Sequence, residues 1–426
     1  MAAFLYYYSK GGLLFFLEST LLTDEKNHVN KLGKRQKLCT YILTDMYKKW
    51  KKGRIMNKNT LEKVTELRHY LHRHPELSCC EKETKKTLMN FLEENTDLKL
   101  TDRGDWFYAE YHPENSRGSI AFRADMDAIR VNETTDLPYR SENPGVAHKC
   151  GHDGHSSALA AFAMETEEKG ADKDVYFIFQ HAEENGVGGY PCSMLLEEKN
   201  IDEVYAIHNF PGVEYGTLAI REGTICCASK GMEIHFTGTS AHASQPEKGK
   251  NPAEAISRLV LELGKIADPE RYTGLILATV VQVDLGERAF GVAAHEGSLL
   301  LTIRGQHEKE MDAMEGEIRA FAEKMAEEYG LELEFLFTEE FPETYCHRES
   351  VDKIREIAEE QGWKTYEMEN PIRSSEDFGW YTKKTKGAMI WLGAGESWPP
   401  IHSEDFDFND GLLEIINNIF RNILEK

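Results

Sequence analysis

From Asn57 onward, short apolar runs alternate with segments of helical period, and that alternation constrains the fold of this chain more than any other feature. Leu61, Val64, Leu67 and Leu71 recur at helical spacing, and a second helix is predicted over Glu81–Glu94. Ser119–Phe122 and Val175–Phe179 read as buried strands with a helix over Ser156–Lys169 between them. Val204–Ile207 is a further short strand that ends in a polar cluster. Strands alternating with helices predict an α/β protein with a mixed, largely parallel sheet flanked by helices on both faces.

The texture changes near Lys230. Met232, Ile234 and Phe236 alternate with polar residues, as in a half-exposed strand. A helix runs from Pro252 to about Ile266, strands are predicted at Leu275–Val283 and Ser298–Ile303, a helix at Glu308–Tyr329 and a strand at Leu331–Phe337. This β-α-β-β-α-β order is ferredoxin-like α+β. After Glu340 the α/β texture returns and closes in an amphipathic helix bearing Leu412, Leu413, Ile416, Ile419, Phe420 and Ile423. The expected organisation is therefore an N-terminal extension (1–55), one domain in two parts (56–229 and 341–426), and a second domain inserted between them (230–340).

The net charge of −23 opposes a polyanionic partner, so neither nucleic acid nor an anionic membrane is expected. No stretch offers the roughly 18 consecutive apolar residues of a membrane span. Residues 1–55 differ in sign, with eleven basic against four acidic side chains. Lys10 and Glu18 interrupt their apolar stretch, unlike a signal peptide. A soluble or peripheral extension fits better, with a non-native or disordered segment and translation beginning at Met56 as further readings. The eight cysteines include the adjacent pairs Cys79–Cys80 and Cys226–Cys227, separated by wide gaps. Such spacing is no disulfide framework and fits a reducing cytoplasm.

The residues that carry chemistry gather where the apolar runs stop. His148-Lys149-Cys150-Gly151-His152-Asp153-Gly154-His155 packs three histidines, a cysteine and an aspartate into eight positions. A thiolate and an imidazole two residues apart, with glycines beside them, can reach one divalent ion. Glu183-Glu184 follows the strand Phe177–Phe179. Their side chains diverge, so one can bind metal while the other moves a proton. His208 ends another short strand, His402 stands late in the chain, and Asp125 and Asp127 close the strand at Phe122, placed to orient ligands from behind.

Seven stretches together resemble the M20 metallopeptidases, in particular their amidohydrolase subfamily, which includes N-acyl-amino-acid, hippurate and auxin-conjugate hydrolases. They are Leu71-His72-Arg73-His74-Pro75-Glu76-Leu77, Arg123-Ala124-Asp125-Met126-Asp127-Ala128, Cys150-Gly151-His152-Asp153-Gly154-His155, Phe179-Gln180-His181-Ala182-Glu183-Glu184, Gly238-Thr239-Ser240-Ala241-His242-Ala243, Ser375-Glu376-Asp377-Phe378 and Ile401-His402-Ser403. They occur in family order across Asn57–Lys426. The resemblance implies a zinc-peptidase-like catalytic domain, an inserted lid and dimerisation domain, and two divalent ions per subunit. Zinc or manganese fits the donor set, with cobalt or nickel also admitted. It implies Cys150, His152, Glu184, His208 and His402 as ligands, Glu183 as general base, and His242 as the group that polarises the scissile carbonyl. Asp127 joins the catalytic set, and a homodimer through 230–340 is expected.

The pattern departs from the family in places. His181 stands where a proline is common, Asp127-Ala128-Ile129-Arg130 replaces Asp-Ala-Leu-Pro, and Gly291-Val292-Ala293-Ala294 lacks a lid asparagine. Ser374, preceded by Arg373, replaces a glycine. Arg304, matching a family arginine, and Arg373 are the candidate contacts for a substrate carboxylate. The expected activity is metal-dependent hydrolysis of the amide bond of N-acyl amino acids or short peptides by metal-activated water. A dipeptidase or aminopeptidase of the same family acting on free-amine peptides is one alternative. A catalytically silent, metal-stabilised ligand-binding protein is another, and a closed structural zinc site is argued against by ligands spread from Cys150 to His402.

Overall fold

Asn57 caps the first helix by accepting from the Asn59 N–H, and the period of Val64, Leu67 and Leu71 becomes the buried face of α1 (Lys58–Arg73). The computed structural model describes residues 56–426; the expected N-terminal extension lies outside the described residues. After α1 come α2 (Lys82–Asn95), β1 (Lys99–Asp102), β2 (Phe107–Tyr111), β3 (Ser119–Asp125), α3 (His152–Lys169), β4 (Asp174–Gln180), α4 (Gly189–Lys199), β5 (Glu203–Pro211), β6 (Leu218–Ile220) and β7 (Gly223–Cys226). The next stretch holds β8 (Ala228–Thr237), β9 (Ala241–His242), α5 (Ala253–Ile266), β10 (Ile276–Leu285), β11 (Val292–Ala293), β12 (Glu296–Gly305), α6 (Glu308–Tyr329) and β13 (Glu332–Phe341). The chain closes with β14 (Thr344–Cys346), α7 (Arg348–Gln361), β15 (Thr365–Glu367), α8 (Gly379–Thr382), β16 (Lys386–Gly395) and α9 (Leu412–Glu425).

The main sheet has eight strands in the order β1-β2-β4-β3-β5-β16-β6-β15. The pairs β4/β3, β3/β5, β5/β16 and β6/β15 are parallel; β1/β2, β2/β4 and β16/β6 are antiparallel. The mixed, largely parallel α/β sheet read from the sequence is the one observed. Its apolar centre includes Phe122 of β3, Phe162 of α3 and Phe420 of α9, with ring centroids 4.9 Å apart for Phe122–Phe162 and for Phe122–Phe420. Burying a ring of this size contributes roughly 2–3 kcal/mol, so the terminal helix is part of the core.

The second sheet is antiparallel, in the order β10-β12-β8-β13. With α5 and α6 it follows the β-α-β-β-α-β succession expected of a ferredoxin-like unit. Met232, Ile234 and Phe236 of β8 are fully buried with Leu259, Leu299, Ile303, Met314 and Ile318 in a core of its own. Among the described residues no helix is long and apolar enough to cross a membrane.

Two differences from the sequence reading matter for the site. Helix α3 begins at His152, four residues before the expected start at Ser156, so the histidine cluster forms its first turn. Gly151, at φ +103°, turns the chain into the helix, a conformation that glycine adopts without steric cost. Strand β3 extends to Asp125 and β4 to Gln180, because these two polar residues still pair across the sheet. An apolar run marks the greasy part of a strand, not its end.

Candidate metal centre

The parallel neighbours β4, β3 and β5 end side by side. Ligands gather beyond the carboxyl ends of strands in open α/β sheets, and here those ends deliver Gln180, Asp125 and Asp127, and His208 with Asn209. The turn Cys150-Gly151 and the first residue of α3 face them. Potential ligand atoms of Cys150, His152 and His208 lie within 4.8 Å of one another, and so do those of Cys150, Glu184 and His402 and those of His152, Glu183 and Glu184. The five residues expected as ligands and the expected base thus fall into three overlapping groups. Cys150, His152 and Glu184 each belong to two of them.

Partners on the far side orient His152, His208 and the backbone of Glu184. Asp127 Oδ1 lies 3.0 Å from His152 Nδ1, which turns His152 Nε2 into the cluster. Asp127 Oδ2 accepts from Ser78 Oγ at 2.7 Å and from the Glu184 N–H at 3.0 Å. His208 Nδ1 donates to the Asn209 carbonyl at 2.8 Å, leaving Nε2 3.4 Å from Cys150 Sγ. The Trp391 ring, its in-register neighbour on β16, stacks on His208 at 4.4 Å. His402, at φ +65° and half exposed, places Nε2 3.3 Å from Glu184 Oε1. Glu183 and Glu184 follow Ala182, itself at φ +49°, whose N–H donates to Glu81 Oε1 at 2.7 Å.

His155 and Asp125 also approach His152, but both are already engaged. His155 Nδ1 meets Asp125 Oδ1 at 2.7 Å and its Nε2 meets Asn209 Oδ1 at 2.7 Å. Asp125 Oδ2 accepts from Arg123 at 2.7 Å. Arg123, fully buried, also donates to Gln180 at 2.8 Å and to Asp377 at 2.8 Å, and lies 3.1 Å from Glu376. Gln180 donates to both oxygens of Asp377. This buried lattice fixes the ends of β3 and β4.

The donor set fits divalent cations. His152 Nε2 and Glu184 Oε1 are buried without a hydrogen-bond partner, where a buried polar group is costly unless something satisfies it. Burial works against a charged His152, yet Asp125, Asp127 and Glu184 outweigh it and drive its pKa up to about 10. The pocket therefore draws positive charge, and a metal ion would replace that proton. Burial, reinforced by His155, holds His208 neutral, as a ligand requires. Burial and Glu184 push the Cys150 thiol well up, a preference that a bound cation reverses. Glu183 is raised well above the usual carboxylate range, first by burial and then by Glu376 and Glu184.

The other expected site residues lie elsewhere. His242, on the β9/β11 ribbon opposite Val292, is exposed and bonds Ser244 Oγ at 2.6 Å; it joins none of the ligand groups. Arg304 Nη1 donates to the Arg373 carbonyl at 3.1 Å and to Ser375 Oγ at 2.9 Å, so it ties β12 to the segment leading into Glu376. Arg373 is exposed. His181 is buried against Cys192, with its Nδ1 3.9 Å from that sulfur, and stands outside the groups. Sequence reasoning gave no part to Gln180, Asn209, Glu81 or Trp391. Gln180 and Asn209 carried one available signal, position at a strand end or beside His208; Glu81 and Trp391 carried none.

An α/β sheet with a thiolate, imidazole and carboxylate cluster at its strand ends defines a metallohydrolase. Residues 121–426 match peptidase family M20/M25/M40, and the chain belongs to that family. It is 28% identical over 380 residues to an uncharacterised hydrolase of Staphylococcus saprophyticus, covering 86% of this chain and 97% of that one. Its structure is similar to that of the Bacillus subtilis YXEP protein, described as a dinuclear metal binding peptidase from the M20 family, at 25% identity and a TM-score of 0.73 over 86% of this chain and 98% of that one. It also shares its fold with a tripeptidase of Staphylococcus aureus at 16% identity and a TM-score of 0.64, covering 87% and 99%.

Proposed function

We propose that this M20 hydrolase is an amidohydrolase that removes the acyl group from N-acyl amino acids or cleaves short peptides, with two divalent ions held by Cys150, His152, Glu184, His208 and His402. The observation that carries the reading is the overlap of the ligand groups through Cys150, His152 and Glu184, with Glu183 in one of them. When bound, two such ions supply Lewis-acid polarisation of a carbonyl and make water acidic near neutral pH. The protein supplies the rest. Asp127 holds His152 in the tautomer whose Nε2 faces the cluster. Glu183, whose carboxyl group readily holds a proton, takes one from the attacking water and returns it to the leaving amine. Arg373 is exposed and free to meet a substrate carboxylate, while Arg304 holds the segment that presents it.

The inserted unit, residues 230–340, is assigned as lid and dimerisation surface, with His242 donating to the developing oxyanion once the site is complete. A dipeptidase remains the second reading, favoured by the tripeptidase fold neighbour. The test is release of primary amine from N-acyl amino acids and from free dipeptides, using metal-stripped protein with zinc or manganese restored. Metal-dependent release from blocked substrates is expected; release from free dipeptides alone moves the assignment to dipeptidase. Glu183→Gln should lower turnover about 10²–10⁴-fold and leave the metal content unchanged. Full turnover in that variant contradicts the role of Glu183.

A further inference from the structure

Lys149, inside the ligand motif, has no part in the chemistry above, yet its side chain is fully buried. Buried lysines are rare unless every donor finds a partner. Its ammonium donates to Glu133 Oε1 at 2.8 Å and to the Phe406 carbonyl at 2.6 Å. Its own carbonyl accepts from the His402 N–H at 2.6 Å. One residue therefore grips the 402–406 segment twice, at the backbone of His402 and four residues beyond it. The neighbouring Thr134 N–H adds a third tie, to the Glu404 carbonyl at 3.0 Å.

The segment needs such a hold. His402 has φ +65°, a conformation that costs a non-glycine residue about 1–2 kcal/mol. It is also the most exposed of the five proposed ligands, arriving on a loop rather than on a helix or strand. A ligand on a loop keeps its geometry only through supporting bonds behind it.

We propose that Lys149 is a positioning residue for His402: it clamps the loop that carries this ligand, and so secures the ion that His402 helps to bind. The inference rests on the metal reading of the site. Glu133 completes the clamp, and it is held in turn by His72 Nε2 at 3.1 Å and by the Ser141 N–H at 2.8 Å. These partners remain when the lysine is removed, which limits the damage to the fold.

The test is metal stoichiometry and affinity of the full-length protein loaded with zinc, read by a chromogenic chelator, independently of turnover. Lys149→Met, with Lys149→Met/Glu133→Gln as the charge-balanced version, should retain one ion tightly and release the other at least tenfold more readily than the parent. His402→Ala should do the same, and His402→Ala/Lys149→Met should lose no more than His402→Ala alone. A core truncation far from the loop, Leu424→Ala, should destabilise the fold and keep both ions. Two tightly held ions in the lysine variants, beside one in His402→Ala, overturn the clamp. Loss of both ions from a folded lysine variant also overturns it, since that would mark an effect on Cys150. Two ions retained in His402→Ala overturn the ligand assignment itself.

Discussion

Glu81 shows how a single buried carboxyl group couples this site to pH. It is almost fully buried, accepts the Ala182 N–H, and is pushed up to about 7, first by burial and then by the charge of Asp127. The folded chain therefore binds this proton more tightly than the unfolded chain, whose glutamate titrates at about 4.3. Its stabilising contribution is complete below the unfolded value and is lost as pH rises toward 7. Glu81→Gln keeps an acceptor for Ala182 and removes the titration. In metal-stripped protein, the variant should match the parent near pH 4.5 and exceed it at pH 8 by up to about 3–4 kcal/mol, measured by urea denaturation. An equal difference at both pH values would contradict the assignment. This role was not legible in the sequence, where Glu81 is one acidic residue before a helix. The metal-ligating types were legible because cysteine, histidine and paired glutamates at strand ends are chemically unusual company. Gln180, Asp377 and Asn209 were not, because their function arises from contacts across 197 and 54 residues of chain.

At the scale of elements, the helices and strands followed from period, while their ends did not. Helix α3 starts early because Gly151 and Gly154 let its first turn press against the loop of β5 and α9. A Cβ on Gly154 would stand 2.3–2.4 Å from the Phe408 ring, and one on Gly151 would stand 2.1 Å from Asn209 Oδ1. Phe408 lies four residues before α9 and six after His402, so the glycine contact also bears on where the His402 loop sits. Gly154→Ala should therefore cost about 1–3 kcal/mol by overpacking. Gly154→Ala/Phe408→Leu should recover part of that loss. Urea midpoints of the two variants decide it; an additive loss in the double variant would mean that Phe408 is not what the glycine accommodates. The same contact explains why the helix was expected to start only at Ser156: spacing carries no record of a ring packed against a glycine from 254 residues away.

At the scale of the whole molecule, the two outer strands of the inserted sheet differ. β13 exposes Glu332, Glu334, Glu339 and Glu340 with Leu336 as its exposed large apolar residue, whereas β10 exposes Val280, Val281, Val283 and Leu285 along its open edge, interrupted by Gln282 and Asp284. Natural edges are blunted by charge, and a largely apolar edge with a single acid is the face that the proposed homodimer would use. A second copy pairing there would form an isologous contact, consistent with the proposed homodimer. Val281→Lys/Val283→Lys should shift sedimentation toward the monomer. In the proposed dimer, His242, exposed and outside the ligand groups, would serve the site of the other copy. Mixing Glu183→Gln with His242→Ala, each inactive alone, tests that directly. Random exchange makes half of the dimers mixed, and each mixed dimer holds one site with both functional groups. About a quarter of the parental activity should return if the histidine acts across the interface, and almost none if it acts within its own chain. The Val281→Lys/Val283→Lys background should abolish the recovery, which separates exchange of subunits from residual activity of either variant.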